Sequence, residues 1–182
     1  MKKFNVILDL DNTLISSLSK EEEKLNHRYR MKYFRYEDMD GYYKVFERPG
    51  LQKFLDHLFK NFNVSVWTAA SKSYALFIIN KFILENHPER KLDFILFSYH
   101  CKISNKISKN HKSLKLLQNE FMISNYDLKN TFIIDDHPEV KKSQPENCIQ
   151  IKYFDFTHRK SYQDKELSKM ITQLEYQLKK FI

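Results

Sequence analysis

Glycine is nearly missing from this chain, with two residues in 182, and there are only four prolines and one tryptophan. So few chain breakers favour regular elements over loops, and they give the pair Pro49-Gly50 weight as a boundary. Cysteine is equally scarce. Cys101 and Cys148 stand at no metal-ligand spacing, and two thiols in a chain of this size fit a reducing compartment better than a disulfide scaffold. Long apolar runs are absent as well. Asp9 and Asp11 interrupt the one near the N-terminus, leaving neither a secretory leader nor a membrane span, so a soluble, intracellular protein, nuclear or cytoplasmic, is expected.

What is present is ample apolar material: 15 Phe and 11 Tyr within a hydrophobic fraction of 42% exclude a disordered or low-complexity protein. The length fits one domain over residues 1–182. With 31 basic and 23 acidic residues the net charge is +8, a surface that attracts polyanions or phosphorylated segments. Charge alone does not choose between nucleic acid and a phosphorylated protein or peptide.

The run Phe4 to Leu10 is too short for a helix and ends in acidic residues, which predicts a buried strand. From Ser16 to Glu47 the pattern turns polar. Tyr33, Phe34 and Tyr36, a turn at Asp40-Gly41, and the run Tyr42 to Phe46 predict a small hairpin insertion over about 16–47. The charge run Lys20 to Lys24 reads as a solvated face, and the tyrosines between 29 and 43 as hairpin packing. After Pro49-Gly50, apolar positions 51, 54, 55, 58 and 59 follow helical spacing, and Val64 to Trp67 returns as a strand. A helix from about Tyr74 to Glu85, a strand at Phe94 to Phe97, part of a helix at Leu114 to Leu117 and a strand at Thr131 to Ile134 continue the alternation. Leu167, Met170, Ile171, Leu174, Leu178 and Phe181 share one face of a final amphipathic helix. This order predicts an α/β fold, a Rossmann-like parallel sheet flanked by helices, with ligands outside the carboxyl ends of its strands.

Those strand ends carry Asp9 with Asp11, Thr68, and Asp135 with Asp136, with Lys112 as a further member. Carboxylates gathered from distant strands repel unless a cation lies among them, and an all-oxygen donor set suits Mg²⁺. Within Asp9-Leu10-Asp11 the two carboxylates can divide labour. One attacks phosphorus, while the other protonates the leaving oxygen and later deprotonates water. Thr68 can offer a hydroxyl and a backbone amide to phosphoryl oxygens, and a lysine can neutralise their charge. Lys109 and Lys115 compete with Lys112 for that part. His137 has no second His or Cys at ligand spacing and reads as a turn residue.

Four segments, Leu8-Asp9-Leu10-Asp11-Asn12-Thr13-Leu14, Arg48-Pro49-Gly50, Trp67-Thr68-Ala69-Ala70-Ser71 and Ile133-Ile134-Asp135-Asp136-His137-Pro138, resemble the haloacid dehalogenase phosphatases. Within these they resemble the FCP/SCP or NLI-interacting-factor family, which removes phosphate from the RNA polymerase II tail. The resemblance implies Asp9 as nucleophile, Asp11 as general acid and base, and Thr68 and Lys112 as phosphate-binding residues. It also implies a magnesium site of Asp9, Asp135 and the Asp11 backbone carbonyl, with Asp136 supporting metal or water. Tyr74 resembles an aromatic residue that holds a substrate proline, and the insertion resembles a small β-sheet beside the active site. Leu18 in place of an aromatic, and Asn12 in place of Glu, depart from the small members of the family. No BRCT-like extension follows, so a minimal catalytic domain is expected. A nucleic-acid end phosphatase or small-molecule phosphatase, and a catalytically silent binding module, are the alternative functions.

Overall fold

A computed structural model describes residues 4–25 and 28–181. The expectations placed on Met1 to Lys3, and on the side chains of Lys24 and Phe181, lie outside the described residues. In chain order the elements are β1 (Asn5–Leu8), β2 (Ile15–Ser19), α1 (Arg28–Met31), β3 (Tyr36–Met39), β4 (Tyr43–Glu47), α2 (Leu51–Asn61), β5 (Asn63–Trp67) and α3 (Lys72–Ile78). They continue with β6 (Leu92–Leu96), α4 (Ser98–Ser108), α5 (Leu116–Asn119), β7 (Thr131–Asp135), α6 (Pro138–Ser143), β8 (Cys148–Gln150) and α7 (Glu166–Phe181). No helix among the described residues is long and apolar enough to cross a membrane.

The main sheet has five strands in the order β6-β5-β1-β7-β8, and every neighbouring pair is parallel. β1 lies at the centre because all four of its residues are buried on both faces. Alternation sorts the side chains. Val6, Leu8, Val64, Val66, Phe132 and Ile134 enter a large core with residues of α2, α3 and α7. Ile7, Trp67 and Ile133 enter a second core with Cys101, Leu117 and Val140 on the other face. The helical spacing after Pro49-Gly50 is realised as α2, whose buried residues are Leu51, Phe54, Leu55 and Leu58. Gly50 stands at φ 84, a left-handed conformation that suits glycine at the helix entrance.

Three expectations are adjusted. The helix expected through residue 85 is α3 followed by a π-helical stretch, Ile79–Leu84, which keeps Ile79, Phe82 and Ile83 buried. The helical residues expected at 114–117 form a turn and then α5 at Leu116–Asn119. The insertion is more than a hairpin. β3 and β4 turn through the left-handed Asp40 and Gly41, and β2 adds to β4, giving a three-stranded antiparallel sheet in the order β2-β4-β3.

That small sheet has its own aromatic core of Leu18, Phe46, Phe154 and Phe156. The rings of Phe46 and Phe156 stack with centroids 3.8 Å apart, and Phe34 meets both edge-on. At its base the fully buried Arg48 grips Asp164 with two hydrogen bonds of 3.0 Å. It also donates to the Thr13 carbonyl at 2.9 Å and the Lys152 carbonyl at 2.8 Å. One guanidinium thereby ties the loop after β1, the small sheet and the chain before α7 together.

Candidate active site

The three central strands end side by side, and the residues that follow them are Asp9 after β1, Thr68 after β5 and Asp135-Asp136 at the end of β7. Asp9 remains in the ladder, its N–H donating to the Ile134 carbonyl at 3.0 Å. The chain then turns sharply. The amides of Thr13, Leu14 and Ile15 all converge on the Leu10 carbonyl, and Asn12 takes the left-handed φ of 59° that asparagine tolerates. This turn separates the two aspartates of the motif, so Asp11 does not point where Asp9 does.

Lys112 lies at the centre. Its Nζ donates to Asp9 Oδ1 at 2.6 Å and to Asp135 Oδ2 at 2.7 Å. These three residues are 4%, 6% and 1% exposed, so the contacts form out of water. Thr13 Oγ1 donates to Asp9 Oδ2 at 3.0 Å and lies 3.3 Å from Asp136 Oδ1. The His137 N–H donates to Asp135 Oδ1 at 2.8 Å. Lys112 is delivered by a tight turn after α4, where its N–H meets Asn110 Oδ1 at 3.2 Å and its carbonyl accepts from Gln144 Nε2 at 2.8 Å.

Burial alone would lower the Lys112 pKa, but the charges of Asp9 and Asp135 outweigh it and raise it above the ordinary value. One ammonium does not serve every carboxylate. Burial, opposed by Lys112 and reinforced by Asp135 and Asp136, pushes the Asp9 carboxyl up to about 7. Burial and the neighbouring Asp135 raise Asp136 as well. Without a further cation, Asp9 therefore takes up a proton far more readily than an ordinary carboxylate.

The donor set fits such a cation. Asp9, Asp135 and Asp136 each offer a carboxylate oxygen, and these atoms lie within 4.8 Å of one another. Three carboxylates against the one Lys112 ammonium leave two negative charges, matching a divalent ion, and oxygen-only donors select a hard one. The cluster opens into a cavity of about 800 Å³ that Asp11, Thr68 and Tyr153 also line.

Of the residues expected from the sequence, Asp9, Lys112, Asp135 and Asp136 converge, and Thr68 faces the same cavity. The Asp11 carboxylate stands apart from that cluster. Its Oδ1 accepts from the Tyr74 hydroxyl at 2.7 Å, and burial raises its pKa against this hydrogen bond. Tyr74 in turn packs edge-on against Tyr43 of the small sheet, centroids 5.1 Å apart. The expected amide of Thr68 is corrected. The sheet continues one residue further and spends that N–H on the Leu96 carbonyl at 3.0 Å. The Thr68 hydroxyl oxygen accepts from the Ala70 N–H at 3.1 Å, which leaves its own proton to donate. Lys109 lines the cavity, whereas Lys115 does not. His137 makes no metal cluster among the described residues and caps α6, its Nδ1 accepting from the Glu139 N–H at 3.3 Å. Leu18 is buried in the small sheet's core. Sequence reasoning overlooked Thr13 and Arg48, although both stand inside motifs that drew attention for other residues.

A family model described as NLI interacting factor-like phosphatase matches residues 4–181. The chain is 46% identical over 171 residues to the CTD phosphatase-like protein 355R of Invertebrate iridescent virus 6, covering 91% of this chain and 94% of that protein. It is 43% identical over 181 residues to the protein of the same description from Invertebrate iridescent virus 3, covering 96% of each. Among solved structures it resembles Fcp1, an essential RNA polymerase II CTD phosphatase, with a TM-score of 0.55 and 22% identity. That match covers 96% of this chain and half of the solved one, and it bears on the fold alone.

Proposed function

The chain belongs to the NLI interacting factor-like phosphatases of the haloacid dehalogenase type, and on that premise we propose that it is a Mg²⁺-dependent phosphoserine and phosphothreonine phosphatase. Tail-like peptides of RNA polymerase II are its leading substrate, because the viral relatives are described as CTD phosphatase-like. Residues 1–182 are taken as one catalytic unit. The observation that carries the reading is the Lys112 bridge between Asp9 and Asp135 on the cavity floor. It supports the reading because the carboxylate of Asp9, the proposed nucleophile, lies beside a fixed positive charge at the carboxyl ends of parallel strands.

In this reading Asp9 attacks phosphorus while Thr68 and Lys112 hold the phosphoryl oxygens. Asp11 gives its proton to the departing serine or threonine oxygen, and the phosphoryl group stays on Asp9 as an acyl phosphate. Asp11 then takes a proton from water as that water attacks phosphorus, releasing phosphate and restoring Asp9. Asp9, Asp135 and Asp136, with the Asp11 backbone carbonyl, would hold Mg²⁺, which would supply charge neutralisation for the transferred group. The raised pKa of Asp11 suits an acid that must carry its proton into the reaction. Tyr74 and the exposed Tyr42 and Tyr43 offer aromatic surface to a peptide beside the cavity.

The test is phosphate release from p-nitrophenyl phosphate, a phosphoserine tail peptide and a 3′-phosphorylated oligonucleotide, each with Mg²⁺ and with EDTA. Wild type should hydrolyse the peptide only with metal, and Asp9→Asn should lose at least ~10³-fold in kcat. Substantial turnover by Asp9→Asn sinks the mechanism, and a preference for the oligonucleotide moves the substrate to nucleic-acid ends.

A further inference from the structure

The catalytic groups occupy only the floor of the cavity. At about 800 Å³ it lies in the range that receives a whole drug-sized ligand, more than one phosphoryl group and a metal ion need. Beyond the aspartates the sign of the charge reverses. The wall between the end of α4 and α6 presents Lys109, His111 and Lys142, opposed by the single carboxylate of Glu139. Lys112 is already engaged by Asp9 and Asp135, whereas Lys109 and Lys142 have no ion-pair partner among the described residues. We propose that Lys109, His111 and Lys142 form a second anion subsite, and that the preferred substrate is a peptide carrying a second phosphate a few residues from the one removed. The inference rests on the phosphatase reading above.

The wall is fixed in place before any ligand arrives. Asn110, between Lys109 and His111, donates from Nδ2 to Ser143 Oγ at 2.6 Å, and Ser143 follows Lys142. The Asn110 carbonyl accepts from Ser104 Oγ at 2.6 Å. Gln144 receives the Leu114 N–H at 3.1 Å and donates to the Lys112 carbonyl, so the turn carrying Lys112 and the start of the basic wall are joined to the end of α6. The spacing between the reacting phosphate and the second cationic site is therefore set by the fold, which spares a doubly charged ligand the cost of ordering it.

The backbone at Lys109 points the same way. This residue closes α4 with φ 58°, a left-handed position where glycine is the easiest occupant. A lysine there bears the steric cost of a Cβ and supplies an ammonium that glycine lacks. A strained residue of this kind beside a catalytic lysine is an observed outlier from which a functional hypothesis can start.

The second phosphate does not react, so its contacts hold ground state and transition state alike and should appear in KM. Two exposed lysine contacts, each of the modest strength of a surface ion pair, give about a fivefold to tenfold lower KM in dilute buffer. The experiment compares four peptides of one sequence: singly phosphorylated, doubly phosphorylated with the second group on either side, and singly phosphorylated with glutamate at the second position. Steady-state constants are taken for wild type and Lys109→Ala/Lys142→Ala. Dissociation constants are taken in Asp9→Asn, which does not turn the peptides over.

One doubly phosphorylated peptide should surpass the singly phosphorylated one in KM and in Kd. The ratio should fall towards one in the double variant and at high salt, with the glutamate peptide in between. Equal constants for all peptides in wild type, or a ratio unchanged in the double variant, overturn the subsite. Tighter binding of a 3′-phosphorylated oligonucleotide than of the doubly phosphorylated peptide also overturns it, since the wall then reads a nucleic-acid backbone. Preferential binding without turnover retains the subsite and removes the phosphatase reading.

Discussion

Replacing Lys112 with methionine should destabilise the metal-free protein by an amount the structure allows to be worked out. The ammonium is 5% exposed, and its partners Asp9 and Asp135 are 8% and 1% exposed in their side chains. Removing one member of a buried ion pair costs about 3–5 kcal/mol, because the remaining charge is left without solvent or partner. Two carboxylates lose their cation here, but Asp9 has a pKa already pushed up to about 7 and escapes part of the penalty by taking a proton. The expected loss is therefore near ~3 kcal/mol, the lower end of that range. At about 2–4 °C per kcal/mol for a chain of this size, the melting temperature in EDTA should drop by about 6–12 °C. Lys115→Ala, at an exposed position, should stay within about 0.5 kcal/mol. Saturating Mg²⁺ should return more stability to Lys112→Met than to wild type, since the ion takes over charge that the ammonium had balanced. A melting temperature in EDTA no lower than that of Lys115→Ala would refute the idea that Lys112 neutralises this cluster.

The Asp9 carboxyl sits at about 7 in the folded protein against an ordinary 3.8, so its contribution to stability is full at low pH and is lost as the pH rises through about 7. The rise in melting temperature produced by Mg²⁺ should accordingly be larger at pH ~8 than at pH ~5.5, and a rise independent of pH contradicts this. Arg48→Met takes the donor away from the partly buried Asp164, the buried Thr13 carbonyl and the Lys152 carbonyl, so urea unfolding should show a loss of about 3 kcal/mol, the lower end for a buried pair, with Arg48→Lys intermediate; a loss under ~1 kcal/mol would show that the tie is redundant. Tyr74→Phe removes the hydroxyl that orients Asp11, a hydrogen bond worth about 1 kcal/mol or roughly fivefold in rate. The loss should be seen with a phosphoserine peptide, whose leaving oxygen needs a proton, and be much smaller with p-nitrophenyl phosphate; equal losses on both would deny Tyr74 this role.

The parts of the fold that could be read from the sequence were those held by apolar periodicity. The strand expected within Phe4 to Leu10, the helix after Pro49-Gly50 and the amphipathic face of α7 bury most of the residues their spacing marks: Leu167, Met170 and Leu174 lie in the core, and Phe59, Ile171 and Leu178 pack partly buried against it. α4 gave no such signal. Only Cys101 and Ser104 of its eleven residues are buried, and its end is secured by the Ser104 hydroxyl on the Asn110 carbonyl and by the Ser113 N–H on that hydroxyl. β8 is three residues long, too short for any period to appear. In the site, the aspartates were visible because carboxylates at strand ends are costly without a reason. The direction of Asp11 was not, because it depends on a left-handed Asn12 and on a tyrosine that arrives 63 positions later. Arg48 was visible only as part of a boundary, since nothing local shows that Asp164 will meet it.

The fastening of the small sheet bears on how a substrate would meet the cavity. The sheet is held at its base by Arg48, through its interior by the stacked Phe46 and Phe156, and at its rim by Tyr43 against Tyr74. A flap must trade such contacts for others each time it swings, so anchoring at three levels opposes swinging. Under the phosphatase reading proposed above, a peptide substrate would meet a preformed edge beside the cavity, and the work of fitting would fall on the peptide.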